Sequence, residues 1–410
     1  MTDALAQAVE VRPLDPADHP AAHALRVAAF SSSLATRYPE EGEANYIPAD
    51  SRLGAYDGDR LVGHTGVWSL GQWLGGRQVP MAGVASVTVA ADQRRRGIAG
   101  RLVRAALELA RTRGDVIACL YPTVPALYRW SGFEFAGVQI RHVLPTGTLG
   151  GLPRPSAPPR LRRLAYPDDL PGIAPVWDAA AQAHGRETRS DARLRHIFEP
   201  DDARTRDLDA LVAERDGTIT GVLQVSRSAT PPGDRSIFTQ RVVGLAATDR
   251  DTWLALWHVV AGQASVCART QFTGAPHEPL LDELSVPAHD LDTEVHPWMA
   301  RLVDLPTAVA GRGWPAGAPT AISLGVHDPL LAANDGTWTL EVADGEGRLT
   351  RGGPDAAPTI DVGALSALFT GHVRARTLAF QGRLSGASAA DVATLDAVFG
   401  APQPWFHDYF

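Results

Sequence analysis

The chain has 410 residues, 45% of them hydrophobic and 20% charged, and a formal net charge of −8. These values are typical of a globular protein of roughly two to four domains. The negative charge argues against general nucleic-acid binding and fits a cationic partner. The two cysteines, Cys119 and Cys267, have no metal-ligand spacing, so we predict no disulfide framework and no metal site. We expect no membrane contact and a cytoplasmic location, because neither a long apolar run nor a secretory leader is recognisable.

The N-terminal region has an α/β pattern. A strand in "AVEVRPL" precedes a helix for which Asp15 or Asp18 is a candidate cap. Three strands follow, with hairpin turns predicted at Asp57-Gly58 and Gly75-Gly76. Apolar residues then recur at helical spacing from Ile98 to Arg113. A buried strand in "DVIACLYP", a short helix in "VPALYRWSG" and a strand in "FEFAGVQIRHVLP" complete this region.

The segment "TGTLGGLPRPSAPPR" is rich in glycine, proline and serine and predicts a linker. Beyond it, the order strand, helix, hairpin, strand, helix returns, which indicates a structural duplication. We therefore predict three domains, comprising residues 1–150, 151–294 and 295–410. The second lacks a glycine-rich basic turn at the corresponding strand-to-helix junction, "LAATDRDTWLALW".

The stretch "ADQRRRGIAG", residues 91–100, lies between an alternating strand and an amphipathic helix. A helix N-terminus attracts anions through its unpaired N–H groups and the positive end of its dipole. Gly97 and Ala99 allow the backbone to approach a phosphate closely, and the arginines add charge and hydrogen-bond donors. The stretch is a candidate pyrophosphate cradle. The alternative is a solvated basic turn on a surface helix.

The pattern Arg94-x-x-Gly97-x-Ala99, after the strand containing Val87 and Val89, resembles the acetyl-CoA signature of the GNAT acetyltransferases. The resemblance implies acetyl-CoA as the co-substrate. It also implies that the backbone of the preceding strand pairs with the pantetheine arm, and that Thr123 lines the acetyl or substrate pocket. The cofactor-binding residues it indicates are Val87, Thr88, Val89, Arg94, Arg95, Arg96, Gly97, Ile98, Ala99 and Thr123.

Over its whole length the chain resembles the Eis family of N-acetyltransferases, most specifically in "SVTVAADQRRRG", "LYPTVPALYRWSGFEFAG" and a final Phe. The resemblance implies a mixed α/β fold. Two tandem GNAT folds, one active and one degenerate, would precede a sterol-carrier-protein-like α+β domain. It further implies Tyr128 as general acid, the α-carboxylate of Phe410 as general base, and a homo-oligomer, specifically a hexamer.

Both catalytic predictions have a chemical basis and a structural alternative. A tyrosine hydroxyl, with an ordinary pKa near ~10, suits protonation of a departing thiolate. An α-carboxylate attracts an ammonium group but is a weak base unless its surroundings are dry or a water relays the proton. Tyr128 is otherwise a core aromatic residue, and the aromatic end of the chain, "PWFHDYF", otherwise only docks the tail. His407 is an alternative base.

A cationic amine is the predicted substrate, of the aminoglycoside or polyamine type. Acidic residues Glu40, Glu41 and Glu43 are candidate contacts for it, and Trp68 and Trp73 are candidate pocket walls; a solvated loop and core packing are the alternatives. Two other functions stay open from the sequence. One is acetylation of protein or peptide lysines, and the other is non-catalytic binding of a lipid or other ligand in the third domain.

Overall fold

A computed structural model describes residues 9–30, 47–199, 208–230 and 236–410. The strands are β1 Glu10–Pro13, β2 Arg52–Asp57, β3 Arg60–Leu74, β4 Arg77–Val89, β5 Ile117–Leu120, β6 Glu134–Pro145, β7 Arg160–Arg163, β8 Glu187–Thr188, β9 Leu208–Arg215, β10 Thr218–Ser228, β11 Thr239–Ala247, β12 Arg269–Gly274, β13 Asp292–Leu302, β14 Thr320–His327, β15 Gly336–Ala343, β16 Glu346–Arg351, β17 Thr359–Asp361 and β18 Leu384–Ser385. The helices are α1 His19–Phe30, α2 Ile98–Arg113, α3 Pro125–Arg129, α4 Leu170–His184, α5 Asp191–Phe198, α6 Arg250–Ala261, α7 Pro279–Glu283, α8 Leu305–Gly311, α9 Val362–Thr370, α10 Ala375–Phe380 and α11 Ala389–Val398.

The described backbone forms two compact units. The first contains the described residues within 1–137 and 297–404, together with residue 410. The second contains those within 138–296 and 405–409. The predicted domain boundaries near residues 150 and 294 stay predictions.

In the first unit, β1 to β4 pair antiparallel in sequence order, and β4 then pairs parallel with β5. Residues 299–302 of β13 pair antiparallel with β5. Glycines with positive φ make the turns at the two predicted hairpins: Gly58 between β2 and β3, and Gly75 and Gly76 between β3 and β4. Both hairpin predictions are confirmed, because these turns join paired antiparallel strands. Glycine adopts the positive φ angles that such turns need at little cost.

Helix α2 packs its apolar face on this sheet. Leu102, Val103 and Ala106 are fully buried in a core with residues of β3, β4 and β5. The predicted helix is therefore confirmed, including its buried face. It ends at Gly114, whose φ is 86° and whose N–H caps the last turn.

The rest of the first unit is a separate five-stranded sheet in the order β16-β15-β14-β17-β18, with helices α8 to α11. Helix α9 is buried at every position. Apolar side chains from β14, β15, α8 and α9 surround a cavity of only ≈ 20 Å³.

The second unit repeats the strand pairing of the first. Strands β7, β9, β10 and β11 pair antiparallel in that spatial order, and β11 pairs parallel with β12. Strand β6 then pairs antiparallel with β12. Helix α4 follows β7, and α6 joins β11 to β12, as α1 and α2 do in the first unit. The predicted duplication of element order is confirmed.

The predicted linker is not extended throughout. Residues Thr146–Gly151 form a 3₁₀ turn, and Leu149 and Leu152 are buried in the core of the second unit. The linker was predicted from the glycines and prolines of this segment. Its leucines, Leu149 and Leu152, attach the start of the segment to the core. Among the described residues, no helix is long and apolar enough to cross a membrane.

Candidate active site

Strands β4 and β5 separate after a short stretch of parallel pairing. The pairs are Met81 with Ile117, Ala82 with Ala118 and Gly83 with Cys119. Beyond Gly83, β4 continues to Val89 while pairing with β3 on its other edge. From residue 84 onward, the edge of β4 that faces β5 therefore pairs with no strand of the described residues. Unpaired strand edges accept an added extended chain.

A β-bulge lies in the open part of β4. His64 pairs with Thr88 and Gly66 with Ala85, so two residues of β4, Ser86 and Val87, oppose one residue of β3. Ser86 has a φ of 55°, and the hydroxyl of Thr65, the residue opposite, donates to the carbonyl of Ala85 at 2.9 Å. A bulge bends its strand and increases its twist, which accounts for the divergence of β4 from β5.

The open edge contains the three residues that were predicted to face the pantetheine arm. Thr88 is buried, with its hydroxyl donating to the carbonyl of His64 at 3.3 Å, while Val87 and Val89 are half-buried. Their backbone lies on the segment of β4 that no longer pairs with β5. This position suits the backbone role that the sequence predicts for them.

Helix α2 follows this strand after a loop that contains the 3₁₀ turn Ala91–Gln93, and it has no side-chain cap. Its N-cap is Gly97, with φ 74° and ψ 9°, and Arg95 also has a positive φ of 66°. A Cβ atom at Gly97 would meet no heavy atom within 4 Å, so the space in front of the helix is open. The first-turn N–H groups of an uncapped helix need external acceptors, and a phosphate is a suitable one.

The three arginines of this turn have different environments. Arg96 forms an ion pair with Asp57 at 2.6 Å, which fixes the turn to the end of β2. Arg94 and Arg95 are exposed and form no ion pair with any residue in the described ranges. Their charges are thus available beside the helix N-terminus, together with Ile98 and Ala99 of its first turn. These donors and the open space fit a pyrophosphate.

Tyr128 lies on α3 and is 5% exposed. It packs in the core with α2 residues, and its ring makes an edge contact with Phe133 at 6.2 Å between centroids. Thr123, in the loop between β5 and α3, is exposed. Tyr128 is thus packed as a core aromatic residue, and its role as a site residue stays a prediction.

Phe410 lies where β4 and β5 diverge. A Cβ atom at Gly83, the last residue of β4 that pairs with β5, would be 3.0 Å from two carbons of the Phe410 ring. Tyr121, which directly follows β5, contacts the same ring edge-on at 5.6 Å between centroids. The last residue of the chain therefore lies next to the divergence of the strands, against Tyr121.

The residues before Phe410 are anchored within the second unit. Asp408 forms ion pairs with Arg189 at 2.6 Å and Arg193 at 3.3 Å, and the backbone N–H groups of His407 and Asp408 donate to Glu187. Burial alone would raise the pKa of Asp408, but the arginine charges and a hydrogen bond from His407 bring it well below its ordinary value. The negative charge of Asp408 is thus balanced by two guanidinium groups.

Two family descriptions match the chain, "Acetyltransferase (GNAT) domain" over residues 10–136 and "Sterol carrier protein domain" over residues 305–407. An uncharacterized N-acetyltransferase of Streptomyces avermitilis is 28% identical over 379 residues, 87% of this chain and 88% of the relative. N-acetyltransferase Eis of Mycobacterium tuberculosis is 26% identical over 94% of this chain and 96% of Eis. A GCN5-related N-acetyltransferase structure from Kribbella flavida has a TM-score of 0.85 and 27% identity, with 100% coverage of both chains.

The chain is an Eis-like N-acetyltransferase of the GNAT type. Its mixed α/β fold has a GNAT domain at the N-terminus and a sterol-carrier-protein-like domain at the C-terminus. The GNAT fold implies that acetyl-CoA is used, and the diverging strands with the uncapped α2 are the part of this GNAT domain that suits it.

Other predicted residues of this Eis-like enzyme are located as follows. His407 is buried, and burial lowers its pKa to about 4, which makes it a poor base for an ammonium group at neutral pH. Trp405 and Phe406 are buried as predicted for a docked tail, whereas Tyr409 is 57% exposed. Trp68 is buried and Trp73 half-buried. The acidic residues Glu40, Glu41 and Glu43 lie outside the described residues.

One cluster among the described residues has the spacing of a metal site. Donor atoms of Glu187, His407 and Asp408 lie within 4.8 Å of one another. Both carboxylates already accept hydrogen bonds, and Asp408 lies between two guanidinium groups. A cation at this position would be repelled by these charges, so the cluster is explained as an anchor for the tail.

Sequence reasoning missed Tyr121 and Gly83. Tyr121 immediately follows a buried strand, and ligands of α/β sheets bind beyond the carboxyl ends of parallel strands. This was the signal available for Tyr121. Gly83 gave none, because its role depends on the position of Phe410, more than 300 residues later in the chain.

Proposed function

We propose that this protein transfers the acetyl group of acetyl-CoA to a primary amine of a cationic small molecule, of the aminoglycoside or polyamine type. The observation that supports it most is the divergence of β4 from β5 beside an uncapped helix N-terminus, with Phe410 at the divergence. The chain's net charge of −8 also favours a cationic substrate.

In this proposal, backbone N–H groups at Gly97 to Ala99 hold the pyrophosphate, and Arg94 and Arg95 add charge. Arg96 keeps its partner Asp57 and positions the turn. The open edge of β4 at residues 87–89 pairs with the pantetheine arm as if it were a further strand. A backbone amide on this edge also donates to the thioester carbonyl and stabilises the oxyanion that develops during transfer.

The reaction forms a bond between the amine nitrogen and the acetyl carbon and breaks the bond from that carbon to sulfur. The ammonium form of the substrate loses two protons in total, and the departing thiolate gains one. The Tyr128 hydroxyl supplies the proton to sulfur, because a tyrosine hydroxyl is an acid of the strength that suits a departing thiolate. The Phe410 α-carboxylate attracts the ammonium group and accepts one of its two protons, directly or through water. The second proton leaves the nitrogen after the bond to carbon has formed and restores the tyrosine hydroxyl.

The packing around α9 argues against lipid carriage. A lipid-binding domain requires a large apolar cavity, whereas the cavity beside α9 has ≈ 20 Å³, room for about one water molecule. The hexameric state, which rests on the resemblance to Eis, the cytoplasmic location and the two domain boundaries are further parts of the proposal.

The test measures CoA release from acetyl-CoA with an aminoglycoside, a polyamine and a lysine peptide. The enzyme contains no lysine, so its own side chains add no amine background. The variant carries one glycine after Phe410, which moves the carboxylate, and Tyr409→Phe is the matched tail control. We expect turnover with a small polyamine or aminoglycoside, a loss on the order of 100-fold or more in the extended chain, and near-normal Tyr409→Phe.

Other outcomes would change the proposal in defined ways. Equal activity of the extended chain would remove Phe410 as the base. Turnover of the lysine peptide alone would favour protein acetylation. No CoA release with any amine would contradict the acetyl transfer itself.

A further inference from the structure

The second unit contains a cavity of ≈ 390 Å³, within the size range of small-molecule binding sites. It lies at the carboxyl ends of the parallel strands β11 and β12, beside the start of α6. Its wall combines aliphatic side chains with aromatic ones and contains the buried Arg186. The large aromatic residues are Trp253, Trp257, Phe272 and Trp405, and Asp249, Arg250, Glu278 and Glu283 add charged groups from the side of α6 and α7.

Arg186 differs from the other buried arginines of the described chain. It is 2% exposed, yet its guanidinium donates no hydrogen bond to a described residue, and its Nε is buried without a partner. The others all donate to carbonyl, carboxylate or imidazole groups: Arg52, Arg189, Arg193, Arg301 and Arg312. A buried cation without a partner is costly, so this site requires an acceptor.

The carboxylates nearest to Arg186 are occupied elsewhere. Glu187 accepts from the backbone of His407 and Asp408, and Glu278 accepts from the N–H groups of Ala275 and Leu280. Asp408 is paired with Arg189 and Arg193. Burial lowers the pKa of Arg186 to about 10, so the guanidinium remains charged at neutral pH.

The aromatic residues give the cavity flat apolar surfaces. The Arg186 guanidinium lies over the rings of Trp177 at 4.4 Å and Trp405 at 5.7 Å. Trp257 makes an edge contact with Phe272 at 5.3 Å, and its indole N–H is buried without a partner. A guanidinium fork matches a carboxylate in a bidentate arrangement, while the rings suit a planar apolar body.

We propose that this cavity binds a small aromatic carboxylate whose carboxylate pairs with Arg186. The site is independent of the acetyl-CoA site and of the proposed acetyl transfer. Binding is therefore measured on the full chain without acetyl-CoA or amine, and failure of one proposal leaves the other intact.

The probe is 4-fluorobenzoate, observed by ¹⁹F NMR, with 4-fluorobenzamide and 4-fluorobenzylamine as neutral and cationic analogues. We expect saturable binding of the benzoate and at least tenfold weaker binding of both analogues. Arg186→Met should weaken benzoate binding at least tenfold. Arg163→Gln, which removes an exposed arginine of the same unit outside the cavity, should change it less than twofold.

A second variant covers the case in which Arg186→Met fails to fold. Ala247→Phe adds bulk to the cavity wall and leaves Arg186 in place, so it should also weaken binding at least tenfold. The proposal is overturned if the wild type does not bind 4-fluorobenzoate at millimolar concentrations. It is also overturned if the analogues bind equally well, if Ala247→Phe binds normally, or if sulfate displaces the probe as effectively as unlabelled benzoate.

Discussion

The first and second units each contain a parallel strand pair followed by a helix, yet the two clefts differ at the positions that would meet a phosphate. In both, a bulge follows the last parallel pair: after Gly83 in β4, and after Val242 in β11. Helix α2 begins at Gly97 without a side-chain cap. Helix α6 begins at Asp249, whose carboxylate accepts from the N–H of Thr252 at 2.8 Å.

This comparison shows that strand divergence comes from the backbone and that ligand choice comes from a few side chains. A carboxylate at a helix N-terminus satisfies the donors that a phosphate would otherwise use and repels the phosphate as well. The second unit thus has diverging strands like those of the first, but its helix N-terminus has no free anion site. Arg186 of this unit instead lines a cavity together with aromatic residues.

The largest effect is expected at the point of divergence. Gly83→Val gives β4 a branched side chain like the one at Val242, and its Cβ would be 2.9 Å from Leu70 and 3.0 Å from the Phe410 ring. Displacing Phe410 by about 1 Å is expected to lower kcat on the order of 100-fold. The Michaelis constant for acetyl-CoA should change less than about threefold, because the cradle is untouched. A normal kcat would mean that the position of Phe410 does not matter.

The second-largest effect is expected from adding a side-chain cap to the N-terminus of α2. Gly97→Asp places a carboxylate where α6 has Asp249, and we expect the Michaelis constant for acetyl-CoA to rise roughly 30-fold. Gly97→Asn introduces the same backbone strain at a φ of 74° without the charge. The Asn variant should raise this Michaelis constant only a few-fold. Equal effects of the two variants would attribute the loss to strain and contradict the anion cradle.

Smaller changes are expected from the two exposed arginines. Arg94→Gln and Arg95→Gln should each raise the Michaelis constant for acetyl-CoA about fivefold at low salt, and less at high salt, because exposed charges are screened. Arg104→Gln, on the exposed side of the same helix, is the control and should have no effect. Steady-state kinetics at two ionic strengths measure this, and a salt-independent loss would argue against phosphate contact.

The smallest effect on catalysis is expected in the second unit. Asp249→Ala removes the cap of α6 and should destabilise the protein by about 1 kcal/mol, lowering the melting temperature by roughly 2–4 °C. Acetyl-CoA kinetics should stay unchanged. Thermal unfolding followed by circular dichroism, with kinetics on the same samples, tests both parts. An altered Michaelis constant for acetyl-CoA would show that this helix takes part in its binding.

The sequence was most informative where structure is local. Turn glycines, the apolar spacing of α2 and the repeated element order all correspond to elements of the structure. The turn around Gly97 was recognisable because its chemistry lies within ten consecutive residues. Composition did not reveal that Leu149, at the start of the predicted linker, is buried.

Long-range placement could not be predicted in the same way. The contact of Phe410 with Gly83 and Tyr121 joins residues about 300 positions apart, and no local pattern encodes it. The environment of Asp408 also depends on arginines about 215 to 220 positions away in the chain, which pair with its carboxylate. The cavity around Arg186 was missed for the same reason, since its walls come from segments between residues 180 and 407.

The most direct test of the comparison is a calorimetric titration of CoA into the wild type and the Gly97→Asp variant. We expect one CoA per chain in the wild type, because within the described ranges only the first unit has an uncapped helix beside diverging strands. In Gly97→Asp we expect an affinity at least tenfold weaker. Two CoA per chain, or unchanged affinity in Gly97→Asp, would contradict the assignment of the cradle to residues 94–99.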